Sequence, residues 1–313
     1  MGLGIILLLK IFTLTALSSC PGDLSTRHVL KVALVQYEMT RPRSLESWET
    51  KLHALVKEAA TGGAQVILFP ELIALEGLSL LDPQAKKLDE STRKLATEYT
   101  PHFQKHFAFW AKEYAVTIIG GTWPSLQNEK VFNTAFAFGP DGNLLSCQNK
   151  NHLTAGEVEH YKFTGATGEA VVFKLPGGID AAIAICFDVE FPNFLPAVSG
   201  TIPEVIFVPS QTGDDNGRFR VARTASARAV EYHAYVLVTG TVAGIDSDPI
   251  LGASRGQAKV FSPSDKAFPH HGVLAKGPLN QASIVFAELD LTTLRRSRKE
   301  STTFPAKILH DPR

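Results

Sequence analysis

Short, nearly continuous apolar runs recur along this chain and restrict it to a small set of folds. Val32–Gln36, Val66–Phe69, Val116–Ile119, Thr134–Phe138, Val171–Phe173, Ala181–Ile185, Val205–Val208, Ala234–Val238 and Ser283–Ala287 all have strand length. Strands apolar on both pleat faces belong to sheets covered on both sides. Leu45, Trp48, Leu52, Leu55, Val56 and Ala59 fall at helical spacing between the first two runs. A second helix is expected from about Ser91 to Tyr114, with Phe103, Phe107 and Trp110 as a core-packing stripe. A third is expected around Arg220 to Tyr232, after the helix-start loop Gly213-Asp-Asp-Asn-Gly217. Gly120-Gly121, Gly139-Pro-Asp-Gly142 and Gly177-Gly178 read as turns. The pattern is α/β, with two packed sheets and helices outside. No Ser/Gly-rich or Pro-rich linker divides it, so one domain is expected.

Three segments place reactive side chains beside such runs. Ala181-Ala-Ile-Ala-Ile-Cys186-Phe-Asp188-Val-Glu190-Phe-Pro192 ends a strand in a cysteine, at the sheet edge where open α/β folds bind ligands. Gln65-Val-Ile-Leu-Phe69-Pro70-Glu71 ends another in a carboxylate, a candidate general base. Cys147-Gln-Asn-Lys150-Asn-His152-Leu follows the Gly139–Gly142 turn and offers an ammonium, a candidate electrostatic clamp. Each has a plainer reading: an inert buried thiol, a solvated loop carboxylate, a surface lysine.

Read in order, the Phe-Pro-Glu71, Lys150-Asn-His-Leu and Cys186-x-Asp-x-x-Phe-Pro segments resemble the nitrilase superfamily of carbon–nitrogen hydrolases. Arg220-Val-Ala-Arg-Thr-Ala-Ser-Ala-Arg228-Ala-Val-Glu231 resembles the family's Arg-Ala-x-Glu helix, departing after it at Tyr232-His233. The resemblance implies a four-layer α-β-β-α sandwich and a thiol amidohydrolase that needs no cofactor. In that reading Cys186 is the nucleophile, Glu71 the proton acceptor, and Lys150 the oxyanion stabiliser with a backbone N–H after Cys186. Glu157 matches a further glutamate near the lysine that positions substrate or water; a loop carboxylate paired with Lys162 or solvent is its plain alternative. The substrate expected is a small non-peptide amide. A catalytically silent binding or scaffold protein of the same fold, or an N-acyltransferase using the same thioester, are the other readings. Relatives pair through helices near the active site, so a homodimer or higher homo-oligomer is expected.

The domain boundaries follow: residues 1–20 a processing peptide, 21–30 a linker, 31–290 the catalytic domain and 291–313 a basic, polar tail, read either as a solvated terminus or, as the resemblance suggests, as a segment lying across a partner subunit. Residues 1–20 are apolar and end in Leu17-Ser-Ser-Cys20, which resembles a lipobox with Cys20 lipidated after cleavage. Export or membrane anchoring is expected, through that lipid, by ordinary secretion or by an uncleaved anchor, with a cytoplasmic enzyme the alternative if the start is mis-assigned. Cys147 and Cys186 are expected as free thiols flanking the pocket, since a bridge would abolish the nucleophile. Formal net charge is +0 over 313 residues, which argues against a nucleic-acid partner. His152 reads as a packing or hydrogen-bonding histidine and His270-His271 as a loop pair, so no metal site is expected.

Overall fold

The computed structural model describes residues 28–195, 201–244 and 248–310. The expected processing peptide and the lipidation site Cys20 lie outside the described residues. In chain order the first half comprises β1 (Val29–Glu38), α1 (Leu45–Thr61), β2 (Val66–Leu68), α2 (Leu75–Leu81), α3 (Leu88–Lys94), α4 (Thr100–Glu113), β3 (Thr117–Gln127), β4 (Lys130–Phe138), β5 (Leu144–Asn149) and α5 (Ala155–Glu159). The second comprises β6 (Phe173–Leu175), β7 (Ile179–Ile183), β8 (Val205–Ser210), α6 (Asp215–Glu231), β9 (Tyr235–Val242), β10 (Lys259–Phe261), β11 (Val273–Lys276), β12 (Ser283–Asp290), α7 (Leu291–Glu300) and α8 (Pro305–His310).

The strands form two halves, β5-β4-β3-β2-β1-β12 and β6-β7-β8-β9-β10-β11. Among the described residues, strand pairing joins them only where β1 and β9 leave their sheets, through Tyr37 opposite Thr241 and Glu38 opposite Val242. The pleat of β1 divides its side chains between two cores. Leu30, Val32 and Leu34 enter the core shared with β7, β8 and β9. Ala33, Val35 and Tyr37 enter the core under α1 and α4. With α6 packed on the other half, the layers run α-β-β-α, the sandwich expected from sequence.

α1 starts where Ser44 caps the Ser47 amide in a capping box and ends at Gly62. It buries Trp48, Leu52, Val56 and Ala59. The expected Ser91–Tyr114 helix is one helical run from Leu88, interrupted by a π turn at Leu95–Tyr99. Pro101 accounts for that: it donates no amide and its ring crowds the carbonyl four residues back, which a widened turn relieves. The aromatic stripe packs as expected, with Phe103 rings 4.4 Å from Trp48 and 4.7 Å from Trp123.

Five features depart from the sequence reading, one of them the strand expected at Val171–Phe173, which lies two residues later as β6. β5, β10 and β11 are additional strands; β5 is a polar edge strand and the other two are short, so they lack the apolar signal. Gly120-Gly121 is a bulge inside β3, not a turn. β1 begins at Val29, inside the expected linker. Residues 291–310 are not a solvated tail: Leu291, Leu294, Phe304 and Ala306 are buried, and Arg298 donates to the carbonyls of Tyr232, His233, Ile202 and Pro203. The basic residues there anchor α7 to the body. Among the described residues, no helix is long and apolar enough to cross a membrane.

Candidate active site

Glu71 leaves β2 through Phe69-Pro70, and two neighbours in β3 set its position. Gly121 has φ +70°, and a Cβ there would lie 2.3 Å from the Pro70 carbonyl oxygen, so only glycine lets the strand pass so close. Thr122 Oγ1 accepts the Leu72 amide at 2.9 Å. One turn beyond, Glu76 is kept out of the pocket. Lys51 Nζ at 2.6 Å, the Tyr37 hydroxyl at 2.7 Å and the Thr40 amide at 2.6 Å donate to its carboxylate and hold α2 in place.

Lys150 follows edge strand β5, its amide bonded to the Asn133 carbonyl at 2.8 Å. Its side chain is buried between two carboxylates, 2.7 Å from Glu71 Oε1 and 2.6 Å from Glu157 Oε2. Glu157 arrives by a capping box, Thr154-Ala-Gly-Glu157, in which Thr154 N and Oγ1 both donate to Oε2 at 3.0 Å. Glu157 therefore pairs with Lys150, not with Lys162 or solvent. Asn133 of β4 closes the group, donating from Nδ2 to Glu71 Oε1 at 3.0 Å and to Glu157 Oε1 at 2.9 Å. Sequence reasoning missed Asn133, because a lone Asn inside a strand carries no motif.

Cys186 sits at the end of β7, where a 3-10 turn spans Cys186–Glu190. Its φ is +46°, a left-handed conformation that costs a non-glycine residue about 1 kcal/mol or more. Sγ lies 3.5 Å from the Gln211 carbonyl, and the Gln211 amide donates to Glu71 Oε2 at 2.9 Å. Asp188, buried two residues on, accepts the His152 amide and ring Nδ1, each at 2.8 Å. Phe191 stacks on that ring at 3.6 Å. The Asp and Phe of the cysteine segment thus grip the His of the lysine segment, and His152 hydrogen-bonds and packs there, as expected.

These residues meet in a cavity of about 370 Å³ that Glu71, Lys150, Glu157 and Cys186 all line. Tyr161, Arg220 and Asp248 are among the side chains around it. Cys147 is exposed on β5 and does not flank the cavity, contrary to expectation; both cysteines are free thiols.

Burial sets the electrostatics. It pushes the Glu71 carboxyl up, an effect the Lys150 ammonium opposes and the Glu157 charge reinforces. Burial pushes the Cys186 thiol well up, and the Glu71 charge adds to that against the pull of Lys150. Burial disfavours the Lys150 cation, but Glu71 and Glu157 outweigh it and hold the ammonium more firmly protonated than usual. The resting cavity thus holds a thiol and an ammonium clamped by carboxylates.

A family model for carbon-nitrogen hydrolases matches residues 31–299. The chain belongs to the carbon–nitrogen hydrolase family. Within it, the chain is 30% identical over 273 residues to a probable hydrolase, YhcX, of Bacillus subtilis, covering 87% of this chain and 52% of that protein. The chain therefore spans about half the length of that relative. It is 26% identical to human omega-amidase NIT2, over 88% of this chain and 94% of NIT2. Solved structures share the fold. Saccharomyces cerevisiae Nit3 of the nitrilase superfamily has a TM-score of 0.67 at 22% identity, covering 88% of this chain and 94% of Nit3. An amidase from Nesterenkonia has a TM-score of 0.63 at 20% identity, covering 87% of this chain and 94% of the amidase. This carbon–nitrogen hydrolase is an enzyme, with the nitrilase-like architecture its motifs implied.

Proposed function

We propose that this carbon–nitrogen hydrolase cleaves a small amide to an acid and ammonia or an amine through a thioester on Cys186. The observation that carries the reading is one buried ammonium, Lys150, held between Glu71 and Glu157 in the cavity that Cys186 lines. An amide carbonyl is a weak electrophile, so attack requires a proton acceptor for the nucleophile and a cation for the developing oxyanion. Because burial raises the thiol, the proton leaves Cys186 as the S–C bond forms, and Glu71 takes it. Lys150 and the Phe187 backbone N–H stabilise the tetrahedral oxyanion; removing one such donor costs about 3 kcal/mol.

Glu71 then returns the proton to the amide nitrogen, the C–N bond breaks and the amine departs. Water gives a proton to Glu71 and attacks the thioester, and the C–S bond breaks. The proton on Glu71 passes back to sulfur, so the enzyme ends as it began. Glu157 and Asn133 hold the Lys150 ammonium and the Glu71 carboxylate in register throughout. Relatives named omega-amidase and amidase support an amide over a nitrile as the substrate class. A cavity of about 370 Å³ suits a small substrate. The test is ammonia or amine release from a panel of aliphatic amides, with Cys186→Ala as control and intact-mass detection of the acyl-enzyme. Release that Cys186→Ala abolishes supports the reading. No release from any amide, together with no alkylation of Cys186, overturns it in favour of a silent binding protein.

A further inference from the structure

The expectation that this chain offers no metal site passes over His102-Phe-Gln-Lys-His106, whose two histidines lie one helical turn apart on α4. Residues four apart share one helix face. Their rings stand 4.6 Å apart with planes at 57°. Glu49, on the neighbouring α1, completes the group. Its Oε1 is hydrogen-bonded to His102 Nε2 and lies 3.9 Å from His106 Nε2. One donor atom from each of Glu49, His102 and His106 lies within 4.8 Å of the others.

We propose that Glu49, His102 and His106 bind a divalent transition-metal ion that staples α1 to α4, in a site separate from the Cys186 cavity. A tetrahedral zinc with bonds of about 2.0–2.2 Å sets its donor atoms about 3.4 Å apart. The trio reaches that spacing by small rotations of side chains that are partly exposed. Two imidazoles and one carboxylate form a zinc-, nickel- or copper-type donor set, whereas magnesium and calcium require oxygen ligands throughout. The carboxylate also offsets half the charge of the ion. A shallow depression lined by Glu49, His106 and Trp110 adjoins the trio and leaves water access for a fourth ligand. His53, in the same depression, does not join the set: its Nε2 is bonded to the Tyr114 hydroxyl at 2.8 Å. An ion held by two helices binds the folded state alone and raises its stability by mass action.

The test is calorimetric titration of chelator-stripped protein with zinc chloride alone, paired with melting curves with and without zinc. One zinc per chain and a raised melting temperature are expected, both retained in Cys147→Ser/Cys186→Ala. His102→Ala/His106→Ala is expected to weaken zinc binding by about tenfold or more and to remove the thermal shift. Circular dichroism checks that this variant folds; if it does not, His106→Gln, a change at a partly exposed side chain, is read in its place. Absence of saturable zinc binding overturns the proposal. So does binding that survives the histidine changes, or that disappears with the two thiols.

Discussion

Asn133 is the residue on which the candidate site turns, because it is the neutral side chain that, beside the Lys150 ammonium, is bonded to both Glu71 and Glu157. A donated N–H favours the ionised carboxylate. Glu71 must be ionised to accept the thiol proton, so activity falls as pH drops through its pKa, which burial raises above the ordinary glutamate range. The acid limb of kcat/KM against pH is therefore expected above that range. Asn133→Leu removes the donor, raises Glu71 further and moves the limb to higher pH. It is also expected to lower kcat by about tenfold to a hundredfold, the equivalent of about one lost bond to a charged group. A limb that stays in place would mean that Asn133 serves packing only. The trio of Glu71, Lys150 and Cys186 was legible in the sequence because each sits in a motif at a strand end. Glu157 left a weaker trace, the Thr-x-x-Glu capping signature. Asn133 left none, since its role arises from strand pairing.

Among the elements, α7 differs most from its sequence reading. Leu294-Arg-Arg-Ser-Arg-Lys-Glu reads as a polar terminus, yet Leu291, Leu294 and Ser297 form a buried stripe at helical spacing. Arg295 pairs with Glu204 at 2.6 Å while Arg298 reaches four carbonyls. Charge content alone misleads here, because a guanidinium can satisfy backbone oxygens that would otherwise be buried unpaired. Arg298→Ala strips those carbonyls of their donor and is expected to destabilise the protein by about 2–4 kcal/mol. Urea unfolding monitored by tryptophan fluorescence reads this directly; a midpoint equal to wild type would leave α7 a surface attachment. The bulge in β3 carries the same lesson for glycine. Gly120-Gly121 looks like a turn in one dimension and proves to be the gap through which the Pro70-Glu71 loop passes.

At the scale of the whole molecule, the two sheets depend on a narrow junction. β1 and β9 touch over two residue pairs, Tyr37 with Thr241 and Glu38 with Val242, and Thr239 Oγ1 donates to the Val35 carbonyl at 2.5 Å. Gly256 packs into this seam, where an added Cβ would lie 2.4 Å from the Thr241 carbonyl oxygen. Gly256→Ala is expected to force the junction apart at a cost of about 2 kcal/mol or more. Because one core is shared by both sheets, the loss should appear as one cooperative transition at lower urea, with circular dichroism and fluorescence coincident. Two separated transitions would show the halves to be independent. The sequence by itself determined the alternating α/β order, the doubly covered strands and the three reactive strand ends, because hydrophobic period and local turn chemistry are written residue by residue. Only the tertiary structure decided that Lys150 lies between two carboxylates, that Cys147 faces away, that Asn133 joins the site and that Glu49 meets two histidines. Those facts depend on which distant segments pair in the sheet and which helices pack together, and pairing is a property of the closed fold rather than of any stretch of chain.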